Sequence, residues 1–436
     1  MKSLSRKWLA LLLKTMGGLL FISPLFFSCS SSSNEKQFPF KLETGEQKPM
    51  PVAEWIDKDT GHRLFRLTRS GADNRSFYFH NNPFIPAQGD EGDLMVFYGS
   101  EQKRESDKVY KGKEIKQLFT LNLKTLDIKQ ITHHPASIFG EIVAKNRREV
   151  IYQSSDTIFA TNIDNAQSRV IYVFPDSLTQ AGITTLNSDE QLLAGVFSVP
   201  EKRDILKNNP KKGDFFRLIY EAKLPHTIFT LDIDTQEISL VHSDTAWLNH
   251  VQFSSTDPNM LMFCHEGPWH YVDRVWRMDI QEEEPMLMHK RTVHREIAGH
   301  EFFSRDGKTI WFDLQIPRGE TFYLAGADVQ TGEEKKYAMK RDEWSIHFNI
   351  SPDQKIFVGD GGDPSQVAKA EDGMWLYLFH PEGDSLRSEK LVNMKHHNYD
   401  LEPNVHFSPD GKWIIFRANF EGSSQIYAVE VEKYTP

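Results

Sequence analysis

Near its C-terminus the chain reads Phe407-Ser408-Pro409-Asp410-Gly411, and an apolar run, Trp413 to Arg417, follows almost directly. The same order of an apolar residue, a serine, a polar turn and an apolar run occurs three more times. The serines of the four copies lie 50, 47 and 57 residues apart. The earlier copies begin Phe253-Ser254-Ser255-Thr256-Asp257, Phe303-Ser304-Arg305-Asp306-Gly307 and Ile350-Ser351-Pro352-Asp353, and their apolar runs are Met260 to Cys264, Thr309 to Asp313 and Ile356 to Gly359.

A period of roughly 40–50 residues is typical of one four-stranded blade of a propeller. Turns rich in Asp, Gly and Asn between apolar segments indicate hairpins within each unit. Degenerate copies begin near Phe79, Ile138 and Ala181, which brings the number of units to seven. The sequence therefore predicts an all-β fold, a seven-bladed β-propeller over residues 50–436.

The two ends of the repeat indicate how the ring closes. The last unit ends at Val431 after only three strands, whereas Arg63 to Leu67 reads as a strand without a unit of its own. We expect this N-terminal strand to complete the last blade, because closure of the ring leaves only short, protected sheet edges. The polar segment Asp204 to Ala222 reads as an insertion in the third blade.

The composition favours a globular protein without a general attraction to polyanions. Of the 436 residues, 39% are hydrophobic and 26% charged, and the net charge is -10. A negative protein is not drawn to nucleic acid, so we expect no nucleic-acid partner. An acidic substrate would have to be held by cations within its own site. No feature of the sequence indicates an oligomeric state.

The N-terminus is predicted to be a targeting segment rather than part of the fold. Residues 1–28 combine a basic start with an apolar stretch, which indicates a signal peptide. Cys29 precedes a serine run and would become the lipidated first residue, with residues 29–49 as a flexible tether. The alternative is an ordinary signal peptide with an incidental cysteine. Lipidation would place the protein in the periplasm or cell envelope, attached to the membrane only through this anchor.

The repeat also predicts which side chains share the central channel. Equivalent positions on the inner strands point the same way, because side chains alternate along a strand. The position three before each apolar-serine pair is His250, His300, His347 and Asn404, and Glu402 shares the face of the last one. Imidazoles with a carboxylate suit a divalent metal such as manganese, iron, zinc or nickel. The alternative is that these histidines bond neighbouring blades together.

A second cluster runs from Cys264 to Arg274 after the fourth blade's second strand. It offers Arg274 as a cation, His265 as an acid, base or ligand, and Trp269 as a platform for a sugar ring; the alternative is a blade turn with an ordinary ion pair. The segments Gly359 to Asp363 and His396 to Tyr399 stand nearby. A Gly-x-Ser-x-Gly elbow is absent, which argues against a serine hydrolase.

At these residues the sequence resembles the oligogalacturonate lyase family of seven-bladed propellers. The resemblance rests on Trp247-Leu248-Asn249-His250, Cys264-His265-Glu266-Gly267-Pro268 with Val272-Asp273, His300-Glu301-Phe302, Val358-Gly359-Asp360-Gly361 and Asn419-Phe420-Glu421-Gly422, over roughly Pro225 to Val431.

The resemblance implies β-elimination on oligogalacturonate, assisted by manganese. It implies His250 as the catalytic histidine and His300 as the first metal ligand. The family's later ligands, a Gln and a His-x-His pair, correspond to Tyr399, Glu402 and Asn404, and its catalytic arginine falls near His226. We expect Arg217 or Arg274 to replace that arginine, and the departures mark a divergent branch.

The resulting hypothesis is a polysaccharide lyase that cleaves oligogalacturonate or a related uronide and leaves a 4,5-unsaturated product. His250 would take the C5 proton as a base, assisted by His265, Arg217 or Arg274, and a divalent metal, most simply Mn²⁺, would be held or oriented by His300, His347, Glu402 and Asn404. One alternative is a non-catalytic, TolB-like propeller that binds glycan or protein at the cell envelope. Another is a hydrolase, which would need paired carboxylates across the site.

Overall fold

The computed structural model describes residues 54–68, 73–100, 115–178, 180–282, 284–370 and 374–435. The predicted signal peptide (1–28), Cys29 and the tether (29–49) lie outside these residues. Within the described ranges, neither of the two α-helices nor any shorter helix has the length and apolar character needed to cross a bilayer.

The described residues form antiparallel sheets that follow one another along the chain. The first strands are β1 (Glu54–Ile56), β2 (His62–Arg66), β3 (Asn74–Arg75), β4 (Phe84–Ile85), β5 (Leu94–Ser100), β6 (Lys116–Asn122), β7 (Ile128–Gln130), β8 (Phe139–Ala144), β9 (Glu149–Ser154), β10 (Thr157–Asn162), β11 (Ser168–Val173), β12 (Gly182–Leu186) and β13 (Leu192–Ser198). Two helices follow, α1 (Pro200–Asn208) and α2 (Lys212–Ala222).

The later strands are β14 (His226–Asp232), β15 (Ile238–Asp244), β16 (Trp247–Phe253), β17 (Met260–Glu266), β18 (Val275–Asp279), β19 (Met286–Leu287), β20 (Ile297–Phe303), β21 (Thr309–Gln315), β22 (Phe322–Asp328), β23 (Glu334–Met339), β24 (Phe348–Ile350), β25 (Phe357–Gly359), β26 (Trp375–Glu382), β27 (Ser385–Asn393), β28 (His406–Phe407), β29 (Trp413–Ala418) and β30 (Gln425–Lys433). Short 3-10 turns lie at Asp176–Leu178, Trp269–Tyr271 and Arg341–Glu343.

The strands pair mostly with their neighbours in sequence. Strands β3 to β7 form one sheet, and β8 to β11, β12 to β15 and β16 to β19 form four-stranded sheets. Strands β20 to β23 and β24 to β27 form two further sets of four, joined by one parallel bridge between Ala338 and Ser385. In the last sheet, the N-terminal β2 pairs antiparallel with the C-terminal β30. The predicted all-β class is confirmed.

The repeated turn has a specific hydrogen-bonding role. Ser408 donates its Oγ proton to Asp410 Oδ1 over 2.6 Å and accepts the backbone N–H of Trp413 over 3.0 Å. Ser304 and Ser351 make the same bonds to the aspartates two residues later. The side chains satisfy backbone donors where one strand turns into the next, which explains why serine and aspartate recur at a fixed spacing.

The insertion in the third sheet is the part outside the repeat that bears on the site. Helices α1 and α2 connect β13 to β14, and Phe216 on α2 packs edge-on against Trp247 at 5.1 Å between ring centroids. A Cβ on Gly267 would lie 2.7 Å from the ring of Tyr220, so glycine at this position lets α2 approach the end of β17. The insertion thereby lies against the strand that carries His250.

Candidate active site

The repeat positions that carry the histidines have unusual backbone conformations. The φ angles are +48° at His250, +53° at His300 and +51° at Asn404, and Gly140 at the corresponding place in the second sheet has +67°. The pairing register skips beside both histidines, as expected for β-bulges. A non-glycine residue in the left-handed region is uncommon, and such strain clusters at functional sites. The bulges re-aim these side chains.

His300 lies against a buried carboxylate. Its Nδ1 is 2.7 Å from Asp313 Oδ1, and Asp313 also accepts the indole N–H of Trp344 over 3.3 Å. Burial opposes protonation of the imidazole, but the charge of Asp313 outweighs it and raises the pKa of His300. The carboxylate fixes the ring orientation and directs Nε2 away from β21.

His347 has the same arrangement with a different carboxylate. Its Nδ1 is 2.7 Å from Asp360 Oδ2 and its Nε2 is 3.2 Å from the Tyr78 hydroxyl, and the side chain is fully buried. Burial, followed by the charge of His300, holds the pKa of His347 well below its usual value. Burial raises the pKa of Asp360 to about 7. The His300 and His347 rings lie 5.0 Å apart between centroids.

Glu402 and Asn404 reach this pair of histidines in different ways. Glu402 Oε2 is 3.9 Å from His347 Nε2, and 45% of its side chain is exposed. Asn404 accepts the backbone N–H of Phe79 with Oδ1 over 2.8 Å, and its amide donates to the backbone carbonyl of Glu402 over 3.1 Å. The carboxamide of Asn404 is therefore engaged by backbone at both ends, and it holds the loop instead of pointing a free oxygen at a metal.

His250 faces a separate ionic network. Its Nε2 is 3.5 Å from Glu266 Oε2, and 29% of its side chain is exposed. Arg274 is buried and forms ion pairs with both Glu266 and Glu301, with a further contact of 3.4 Å to Glu301 Oε2. Burial would raise the pKa of Glu266, but the guanidinium of Arg274 holds it well below the usual range. Glu266 therefore stays ionised, and its negative charge lies beside Nε2 of His250.

Arg274 thus has a different position from the one expected of a substrate-binding cation. Its side chain is 3% exposed, two carboxylates balance its charge, and Trp269 covers it at 5.5 Å from the ring centroid. Arg274 forms an ion pair with Glu266, and it therefore affects His250 through that carboxylate.

Two other predicted residues lie away from the histidine cluster. His265 points to the opposite face of β17, where it stacks on Trp276 at 4.7 Å and approaches Asp244 at 3.8 Å. It lines a pocket of about 220 Å³ together with Tyr220 of the insertion. Arg217 is 70% exposed on α2 and lies 3.8 Å from Glu221. The structure brings neither side chain to His250.

One group of potential metal-binding atoms in the described residues is preassembled within 4.8 Å: His250, Cys264 and Glu266. Cys264 is fully buried, and burial raises the pKa of its thiol well above the usual value. Glu266 is already paired with Arg274, whose positive charge would repel a cation. This trio is therefore less suited to a divalent metal than the carboxylate-oriented histidines His300 and His347.

The sequence did not show which carboxylates orient the histidines, namely Glu266 beside His250, Asp313 beside His300 and Asp360 beside His347. Glu266 and Asp360 stand inside the quoted Cys-His-Glu-Gly-Pro and Val-Gly-Asp-Gly segments, and Asp313 closes a predicted strand, so a signal was present for each. Tyr78 and His80 come from the first, degenerate unit; His80 lies 5.0 Å from the Tyr78 ring and 6.4 Å from the His250 ring.

The sequence model of the family described as oligogalacturonate lyase matches residues 43–434. An oligogalacturonide lyase of Pectobacterium atrosepticum and an oligogalacturonate lyase of Dickeya dadantii are each 23% identical over 409 residues, which span 89% of this chain and 98% of each relative.

Solved structures show the same fold at low sequence identity. An oligogalacturonate lyase in complex with manganese superimposes with a TM-score of 0.73 at 21% identity, covering 89% of this chain and 98% of the other. An oligogalacturonate lyase from Vibrio parahaemolyticus gives 0.73 at 24% identity, covering 87% and 96%. The β-propeller domain of Cps50 from Myceliophteria thermophila gives 0.51 at 9% identity, covering 84% and 98%. The chain therefore has a propeller-like fold.

Proposed function

Because the chain belongs to the oligogalacturonate lyase family, we propose that it cleaves oligogalacturonate or a closely related uronide by β-elimination and leaves a 4,5-unsaturated product. The observation that carries this proposal is that His250 and His347 lie around one ring, that of Tyr78, at 6.3 and 5.0 Å between centroids. His347 and its neighbour His300 are each held by a buried carboxylate.

Elimination requires a base for the C5 proton, and His250 suits that role. The ionised Glu266 beside Nε2 favours the neutral tautomer that carries its proton on Nε2. The basic lone pair is then on Nδ1, the nitrogen left for the substrate. Arg274 keeps Glu266 charged and in place, so we assign it a positioning role in the reaction. Histidine is the side chain that most often serves as a general base in proton abstraction.

We further propose that His300, His347 and Glu402 hold a divalent metal, most simply the manganese found in the related solved structure. The donor set supports this, because metal-binding histidines commonly give their other ring N–H to a carboxylate, as His300 and His347 do. Two imidazoles and a carboxylate also match the preferences of such metals. When bound, the metal supplies positive charge to stabilise the anion that develops on the substrate carboxylate.

The number of blades and the way the ring closes are also part of the proposal. Seven antiparallel sets of strands, and the pairing of β2 with β30, support a seven-bladed ring closed by the N-terminal strand. We also propose export with lipidation at Cys29, which rests on the N-terminal sequence alone.

The test is the absorbance of the unsaturated product. The purified protein is incubated with oligogalacturonides, with added manganese or with a chelator, and His250→Ala is assayed in parallel. We expect metal-dependent absorbance that His250→Ala abolishes while the variant still binds manganese. Full activity in His250→Ala would show that another group takes the proton.

A further inference from the structure

The helical insertion places a lysine beside the proposed base. Lys202, in the first turn of α1, has its Nζ 5.0 Å from the centroid of the Trp247 ring. Trp247 stands at the start of β16, three residues before His250, and pairs across the sheet with Glu266. At about 3.3 Å per residue, the strand separates the two positions by roughly 10 Å, so Lys202 lies within the reach of a sugar chain bound at His250.

The ammonium of Lys202 has no counter-ion of its own. Among the described residues it makes no hydrogen bond or ion pair, although its side chain is partly buried. Burial lowers the pKa of Lys202 to about 8, while the charge of Glu266 acts in the opposite direction. Glu266 is already paired with Arg274. The Trp247 ring faces the ammonium, but a partly desolvated cation without an anionic partner is costly for the fold, and a bound anion would reduce that cost.

Two other buried cations near the channel already have partners within the protein. Arg274 is balanced by Glu266 and Glu301. Arg417 donates to the backbone carbonyls of Glu402 and Ser76 over 2.7 and 2.9 Å. An acidic protein that binds an acidic chain needs a local cation that is free to pair with it, and Lys202 meets that need on the His250 side.

We propose that Lys202 is a substrate-specificity residue, which binds the carboxylate of the uronide unit next to the one that loses its C5 proton. The inference rests on the proposed function and deepens it, because it assigns the recognition of that neighbouring carboxylate to the helical insertion. The packing of Phe216 on Trp247, and of Tyr220 over Gly267, holds the insertion and its lysine in place.

The test compares Lys202→Met, which keeps the packing on Trp247, with Lys202→Arg, which keeps the charge. Lys207→Met is the matched control, because Lys207 is an exposed lysine on the same helix. Steady-state rates on trigalacturonate are measured with the manganese-loaded protein, and binding of trigalacturonate and of a neutral galactose trisaccharide is measured by calorimetry after chelation. A hydrogen bond to a charged group corresponds to a loss of about 10- to 100-fold in affinity.

We expect Lys202→Met to raise KM for trigalacturonate about 10- to 100-fold with little change in kcat. The variant should also lose the preference for binding the acidic over the neutral trisaccharide. Lys202→Arg should restore most of the affinity, and Lys207→Met should match the wild type. An unchanged KM in Lys202→Met, with a wild type that cleaves trigalacturonate, would overturn this inference alone. A wild type that neither binds nor cleaves trigalacturonate would overturn the proposed function and this inference together.

Discussion

The buried network around Arg274 predicts how the protein responds when its guanidinium is removed. In Arg274→Met, Glu266 and Glu301 stay buried, 5% and 2% exposed, without the cation that balances them. Breaking a buried ion pair from one side costs about 3–5 kcal/mol. That is a large share of the ~5–15 kcal/mol by which folded proteins are usually stable.

The loss has a definite pH dependence. Burial, the largest influence on the pKa of Glu266, raises it; without Arg274 only His250 still opposes burial, so we expect the pKa of Glu266 to rise in the variant. A raised carboxyl pKa makes the folded state bind more protons than the unfolded chain. The free energy of unfolding therefore falls as pH rises from the pKa of the unfolded chain to that of the folded state. We expect the deficit of Arg274→Met relative to wild type to be largest at and above neutral pH and smallest near pH 4.5.

The assay is urea unfolding of both proteins across this pH range, with Arg387→Met as the control. Arg387 pairs with Glu382 at the surface, where both side chains are more than half exposed, so its loss should cost no more than about 1 kcal/mol. Replacing Glu266 and Glu301 by Gln in the Arg274→Met background should restore part of the stability. A deficit equal to that of the control, or one that does not change with pH, would refute the reasoning.

Three further predictions concern single features of the site. Asp313→Asn should weaken manganese binding about 10- to 100-fold, because the amide no longer fixes His300 as a carboxylate does; a manganese titration checks this. Asn404→Ala should lower the unfolding free energy by about 1–3 kcal/mol, seen in urea melts, because a buried backbone N–H loses its acceptor. Burial lowers the pKa of His397 and of His406 to about 4. The unfolded chain therefore takes up protons first as pH falls from 6.5 to 4, and each histidine should remove about 3 kcal/mol of stability over that window, measurable as a falling urea midpoint.

The strands of the repeat were predictable because their turns have a fixed chemistry. The runs expected at Met260 to Cys264, Thr309 to Asp313 and Trp413 to Arg417 appear as β17, β21 and β29, each one or two residues longer. The serine and aspartate of each turn hydrogen-bond locally, and two of the three turns add a glycine, so the local sequence strongly favours those elements.

Of the candidate site, the sequence predicted only the residues that stand at equivalent positions of the repeat. The equivalent positions identified His250, His300 and His347, and the structure places the last two side by side. The carboxylates that orient them, Glu266, Asp313 and Asp360, stand in segments that the sequence singled out, but the repeat does not show which carboxylate faces which histidine. His265 was misjudged because neighbouring residues of a strand face opposite ways, which directs it to Trp276.

Arg217 illustrates a different limit. It lies close in sequence to the position where the family resemblance places an arginine, but α2 turns its side chain outward to Glu221. The cation that the insertion does bring to the site is Lys202, whose position depends on aromatic packing between α2 and β16. Such packing between an insertion and a distant strand leaves no periodic pattern in the sequence.

The most direct test of the account is the mass of the products when oligogalacturonide is cleaved in water enriched in heavy oxygen. Elimination breaks the C4–O bond by removing the C5 proton and adds no water. The account therefore predicts an absorbing, unsaturated fragment and complete loss of the reaction in His250→Ala. It also predicts no heavy oxygen in either product beyond the exchange that uncleaved oligogalacturonide shows at its reducing end in the same water. Fragments that carry heavy oxygen and do not absorb would show hydrolysis and contradict the central claim.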